Sequence, residues 1–150
     1  MKILKAEKKD LKEILDLQRL AFYSEAQMYE DKNIQPLTQT LDEVVTEYEN
    51  GIVLKAVDDA GAIIGSVRAH VEDGTVHIGK LMTQPSLQGK GIGSSLLLEV
   101  ENYFPHKRYE LFTSNRSIRS VHLYKHLGYE PFKEEKEKED LTFVYMQKIK

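Results

Sequence analysis

Leu81-Met82-Thr83-Gln84-Pro85-Ser86-Leu87-Gln88-Gly89-Lys90-Gly91-Ile92-Gly93-Ser94-Ser95-Leu96-Leu97-Leu98 decides the fold. An apolar strand ends near Thr83, and a turn carrying Pro85 follows. Gln88 to Gly93 then supply three glycines in six residues. A helix opens behind them, with Ile92, Leu96, Leu97, Val100, Tyr103 and Phe104 on roughly one face. Glycines ahead of a helix leave its first backbone N–H groups uncovered. Those donors and the positive end of the helix dipole make a site for an anion, most naturally a phosphate. Lys90 adds a cation. Three glycines also cost backbone entropy, which argues for a purpose beyond turning the chain.

Three phosphate loops compete for this reading. A Walker loop ends in Gly-Lys-Ser/Thr, and here Lys90 precedes Gly91. A dinucleotide fingerprint needs Gly-x-Gly-x-x-Gly, and the glycines at 89, 91 and 93 are spaced by two throughout. The pattern that remains is Gln-x-x-Gly-x-Gly behind a strand and a proline.

Working outward, Thr75 to Thr83 reads as a strand. An Asp-Gly turn at Glu72 to Thr75 joins it to a long strand over Ala62–Val71. Asp58 to Gly61 turns that strand back to another over Ile52–Val57. Thr40-Leu41-Asp42-Glu43 is a capping box, and Leu41, Val44, Val45 and Tyr48 continue it as a helical stripe stopped by Gly51. Ser24 to Gln39 shows little periodicity; a connection of that length is usually functional or poorly ordered, unless Glu25 to Glu30 is helical. Leu11, Ile14, Leu15, Leu17, Gln18, Ala21 and Phe22 form a helix that fades at Tyr23, and Ile3 to Ala6 is a first strand.

Downstream, Pro105 to Lys107 breaks the glycine-loop helix, and Tyr109 to Thr113 is a strand. Ser117 to Leu127 is a helix stopped by Gly128, and Tyr129 to Lys133 is a short strand. Glu134 to Asp140 is a charge run read as a solvated hairpin tip, and Leu141 to Ile149 is the last strand. The predicted fold class is α/β with a mixed sheet, in the order β-α-α-β-β-β-α-β-α-β-β, as one domain over residues 1–150.

Composition narrows the function. The chain is 41% hydrophobic and 30% charged with a net charge of -3, as in ordinary globular domains and without the basic footprint of a nucleic-acid binder. It has no cysteine, which removes thiolate nucleophiles, disulfides and Cys-ligated zinc and is compatible with a cytoplasmic setting. The first nine residues lack the apolar core of a secretory signal, and no run approaches a membrane span. No metal site is expected: His122 and His126 are spaced i, i+4 but bring no third ligand.

The glycine motif resembles the pyrophosphate loop of the GNAT superfamily of acyl-CoA-dependent N-acetyltransferases. Ser120-Val121-His122-Leu123-Tyr124-Lys125-His126-Leu127-Gly128-Tyr129 resembles that family's second signature of a small residue, Leu-Tyr, Leu-Gly and an aromatic. With the element order, the resemblance covers the whole chain. It implies a sheet splayed beside the strand that leads into the glycine loop, with acetyl-CoA as co-substrate in the split. The pantetheine arm would pair with Leu81, Met82 and Thr83. The pyrophosphate would sit on the amides of Gln88, Gly89, Lys90, Gly91, Ile92, Gly93 and Ser94. Backbone amides of the same strand would hold the oxyanion. An amine acceptor, small molecule or peptide, would enter from the opposite side, with no nucleic acid or membrane partner.

The resemblance makes Tyr124 the general acid for the departing thiolate. His77 falls where some relatives carry a water-relayed base. Many relatives carry an Asn at the position of Ser117; here the nearby Asn is Asn115, and either residue is a candidate CoA contact. Arg116 and Arg119 are candidates for an adenosine phosphate. Glu25, Tyr29, Glu30 and Asp31, with His70, are candidates for holding a cationic acceptor. Family members are often homodimers, though no stripe here identifies an interface. A non-catalytic acyl-CoA sensor would fit the same glycine loop.

Overall fold

The computed structural model describes residues 1–29, 33–105 and 107–150. It is a single α/β domain built on one seven-stranded mixed sheet. The strands are β1 (Lys2–Lys5), β2 (Ile52–Val57), β3 (Ile63–Glu72), β4 (Thr75–Thr83), β5 (Arg108–Ser114), β6 (Glu130–Lys138) and β7 (Leu141–Ile149). Their order across the sheet is β1-β2-β3-β4-β5-β7-β6. The helices are α1 (Leu11–Tyr29), α2 (Gln35–Thr38), α3 (Leu41–Glu49), α4 (Ile92–Tyr103) and α5 (Ile118–His126). The expected order holds, with α2 as a short addition inside the predicted connection.

Side-chain alternation sends each strand's residues to two faces. Leu54, Ala56, Val67, Val76 and Ile78 pack with Leu96, Leu97 and Val100 of α4. Val53, Val57, Ile63 and Met82 pack on the other face with Leu11, Ile14, Leu15 and Val44 of α1 and α3. The capping box forms as read: the Glu43 amide donates to Thr40 Oγ1 at 3.2 Å, and the Thr40 amide to Glu43 Oε1 at 2.8 Å. The Asp-Gly hairpin also forms, with Asp73 at φ +51° and Gly74 at φ +78°, the mirror-image turn that suits strand twist.

Two expectations need correction. The first helix does not fade at Tyr23 but runs to Tyr29. Its buried stripe continues through Ala26, and Glu25 occupies an inward position just past Tyr23, so a polar residue hid the period there. The charge run is not merely a hairpin tip: Glu134 to Lys138 belong to β6, paired antiparallel with β7 from Glu130↔Gln147 to Lys138↔Leu141. Every residue of β6 is exposed, so the strand rests on backbone pairing and lacks an apolar face.

Under the α4 face lies a buried carboxylate. Glu101 is 1% exposed. It accepts from Tyr129 Oη at 3.1 Å and from Lys148 Nζ at 3.0 and 3.1 Å. Lys150 Nζ stands 3.5 Å away. The fully buried Tyr109 donates its hydroxyl to the carbonyl of Phe104 at 2.6 Å. These bonds tie α4 to β5 and β7 and fix one side of the opening described next.

Candidate active site

The sheet opens between β4 and β5. The two strands run parallel and pair only at Thr75↔Arg108, Val76↔Tyr109 and His77↔Glu110. Beyond His77 the strands diverge. Each keeps its outer neighbour, since β4 still pairs with β3 out to Gly65↔Thr83, and β5 with β7 out to Ser114↔Phe143. The inner edges from Ile78 and from Leu111 onward therefore present backbone donors and acceptors to a cleft. Such an edge takes an extended ligand as an extra strand.

A bulge shapes the β4 edge. Arg68 faces Gly79 and Ser66 faces Met82, so Lys80 and Leu81 together oppose Val67. Lys80 takes the left-handed conformation at φ +53°, which is uncommon for a residue other than Gly, Asn or Asp.

A cavity of about 540 Å³ fills the split. Ile78 to Leu81 line one wall, Leu111 to Ser114 the other, and Tyr124 of α5 and Glu25 of α1 close it. A second cavity of about 450 Å³ lies toward α3, lined by Glu47, Arg68, His70, His77, Glu110 and Tyr145. The two share Ile78, Gly79, Lys80, Leu111 and Phe112. They meet across the gap, so two ligands can approach one another through the sheet.

The glycine loop follows β4 and leads into α4, whose Leu97 lines the first cavity. Gly89 and Gly91 are left-handed, at φ +81° and +82°, with open space where a Cβ would be. Gly91 is the N-cap of α4 and offers no side chain to it. The amides of Ile92, Gly93 and Ser94, the first of the helix, have no intrahelical acceptor. This arrangement fits a pyrophosphate. Gln88 and Lys90 are exposed beside it, and Arg119 Nη1 donates to Gln88 Oε1 at 2.6 Å, which brings a second cation to the loop. Gly93 is helical and closely packed: a Cβ there would lie 3.5 Å from Leu123.

The remaining sequence candidates sort by place. Met82 is buried in the α1–α3 core and contributes backbone to the cleft edge, between the half-buried Leu81 and Thr83. Tyr124 is 7% exposed, and burial plus the nearby Glu25 carboxylate push its phenol well above the ordinary value. Ser117, the N-cap of α5, donates its hydroxyl to Glu25 Oε1 at 2.8 Å. Burial raises the Glu25 carboxyl above the usual carboxylate range, partly offset by that hydrogen bond. Asn115 is exposed, its amide spent on the Thr142 carbonyl at 2.9 Å. His77 is half-buried at the last paired rung. Its ring stacks on His70 with centroids 5.1 Å apart, and its Nδ1 lies 3.8 Å from Glu110 Oε2. The Tyr29 side chain, Glu30 and Asp31 lie outside the described residues. Among the described residues, no three His, Asp or Glu side chains are placed to share a metal ion.

Two site residues escaped the sequence reading. Lys80 carried no signal, since nothing in Gly79-Lys80-Leu81 marks a bulge. Arg68 did carry one: a guanidinium in the middle of Ser66-Val67-Arg68-Ala69 stands where a central strand wants an apolar side chain.

Solved structures share this architecture. A phosphinothricin acetyltransferase of the GNAT superfamily from Sinorhizobium meliloti, in complex with acetyl-CoA, superposes with a TM-score of 0.76 at 21% identity, covering 99% of this chain and 87% of that one. The ribosomal-protein-alanine N-acetyltransferase from Brucella melitensis gives 0.76 at 22%, covering 99% of each chain. The PaiA N-acetyltransferase from Thermoplasma acidophilum, in complex with coenzyme A, gives 0.74 at 20%, covering 99% and 98%. A search of curated proteins found no match by sequence. Residues 21–150 match the model of the acetyltransferase (GNAT) domain, and the chain belongs to that family of acetyl-CoA-dependent N-acetyltransferases.

Proposed function

We propose that the protein transfers the acetyl group of acetyl-CoA to a primary amine by direct attack, with both ligands bound at once. The observation that carries this reading is the pair of cavities that meet through the β4–β5 gap. Acetyl-CoA supplies an already activated thioester, so alignment of the partners accounts for much of the rate.

The chain's own residues divide the work. The amides of Gln88 to Ser94 receive the pyrophosphate, and the open edge at Leu81 to Thr83 pairs with the pantetheine arm. Amides of β4 beyond His77 donate to the oxygen that gains negative charge. Tyr124 protonates the departing sulfur; its phenol carries its proton at neutral pH, as any tyrosine does. His77 takes the amine's proton through water on the other side. His70 lines the second cavity with His77 on the acceptor side, and Glu25, in the first cavity beside Tyr124, and Tyr29 are the remaining candidates for holding the amine. We place this chemistry in the cytoplasm, in keeping with the cysteine-free composition.

The test is CoA release from acetyl-CoA across amines, amino acids, aminoglycosides and peptides, repeated with Tyr124→Phe and His77→Ala. Tyr124→Phe is expected to lower kcat by about 10²-fold, the usual worth of a general acid, with acetyl-CoA affinity unchanged. His77→Ala removes the acid-side limb of the pH–rate profile. Undiminished kcat in Tyr124→Phe would return that tyrosine to a packing role.

A further inference from the structure

The second cavity holds a charge imbalance. Arg68 is 5% exposed and points from β3 toward α1 and α3. Its Nη2 donates to Gln18 Oε1 at 2.8 Å, but Nε and Nη1 make no hydrogen bond among the described residues. Buried guanidinium donors are seldom left without acceptors. The nearest anion is Glu47, 3.4 Å from Nη1. That same carboxylate is the ion-pair partner of Lys80, 3.9 Å from its ammonium and beyond hydrogen-bond distance. The buried Arg68 guanidinium and the half-buried Lys80 ammonium thus share one carboxylate that is itself 38% exposed and already accepts from Gln39 Nε2 at 2.9 Å. The other acid on the wall, Glu110, already has Arg108 Nη1 at 2.8 Å, and the histidines His70 and His77 add no negative charge. Burial lowers the pKa of both cations, with Glu47 only partly opposing it. A buried charge with an incomplete set of partners is costly, and an anion bound in the cavity would offset that cost.

Lys80 also sits where the two cavities join, on the bulge beside the amine's point of attack. We infer that the acceptor carries a carboxylate within a few bonds of its amine, and that Lys80, backed by Arg68, holds that carboxylate. Among the described residues only the Glu47 carboxylate lies within 4 Å of either cation, the exposed Glu43 acting on Lys80 from farther off, so one ligand carboxylate, as an amino acid carries, would complete the pair. Polyamines and aminoglycosides bring only more positive charge to a wall that already has an excess. This inference rests on the transferase reading for where the amine lies.

The experiment uses L-amino acids, their amides, and the amines with the same side chains but no carboxylate. CoA release and binding in the presence of CoA are both read, on the wild type, Lys80→Gln and Lys80→Arg. The expected result is kcat/KM at least about tenfold higher for the carboxylated member of each set, since a site built for a group rejects the analogue lacking it. Lys80→Gln erases that preference through KM with kcat kept, and Lys80→Arg restores part of it. Amino acids that bind in a Lys80-dependent way without acetylation would support the anion site and defeat the transferase reading. Equal kcat/KM for the carboxylated and decarboxylated members of each set in the wild type, with both unchanged in Lys80→Gln, would overturn the anion site and leave the transferase reading standing. Absence of both binding and turnover with every carboxylated amine would overturn the anion site.

Discussion

Glu101 and Arg68 are each buried charges, one under each face of the sheet. Both oxygens of Glu101 are occupied, by the Tyr129 hydroxyl and the Lys148 ammonium, with Lys150 nearby. Arg68 has one hydrogen bond and two nitrogens without any. Equal burial therefore conceals opposite roles. A charge whose partners are complete is part of the frame. Arg68, with donors left over, lines the second cavity, where Glu101 has no part.

The comparison predicts unequal costs of removal. Glu101→Ala leaves a buried ammonium and a buried phenol without their acceptor, and is expected to cost about 3–5 kcal/mol, the range for a broken buried pair. Urea unfolding measures it. Arg68→Met releases Glu47, which already reaches water and can turn to it. The buried Gln18 Oε1 loses its donor, so the expected loss is about 1–3 kcal/mol, while KM for a carboxylated acceptor rises. Equal destabilisation by the two variants would make Arg68 a frame residue like Glu101.

A third charge, the half-buried acid Glu25, sharpens the contrast at smaller scale. Glu25 has one donor, Ser117, and its folded pKa is raised because burial outweighs that bond. The folded protein then binds the proton more tightly than the unfolded chain. Stability falls as pH rises from the unfolded carboxyl pKa through the raised folded value. Glu25→Gln removes that loss, so thermal unfolding at neutral pH is expected to move upward in the variant and to match wild type in mild acid. A variant less stable than wild type at neutral pH would show that Glu25 is held by partners as Glu101 is.

Much of this molecule is legible in its residues, and the exceptions share a cause. The meander of β2, β3 and β4 declares itself through apolar runs and an Asp-Gly turn. The α4 stripe and its glycine cap mark the loop. The end of α1 does not, because Glu25 stands at an inward position where the helical period calls for an apolar side chain. β6 does not, because an exposed strand such as Lys133 to Lys138 has no buried face to impose alternation. Lys80 does not, because its left-handed backbone comes from the bulge opposite Val67 and not from its own preferences. The polar residues that blur the pattern at Glu25 and Arg68 are the ones that line the two cavities.

The central claim is that the glycine loop and the β4–β5 split together hold acetyl-CoA. Titration calorimetry of acetyl-CoA into the wild type and into Gly91→Glu tests it most directly. Gly91 is left-handed at φ +82° and caps α4, so glutamate there adds strain, bulk and negative charge where the pyrophosphate belongs. The account predicts saturable heat for the wild type and none for Gly91→Glu, with the variant's circular dichroism unchanged. Equal affinity in the two proteins would contradict it.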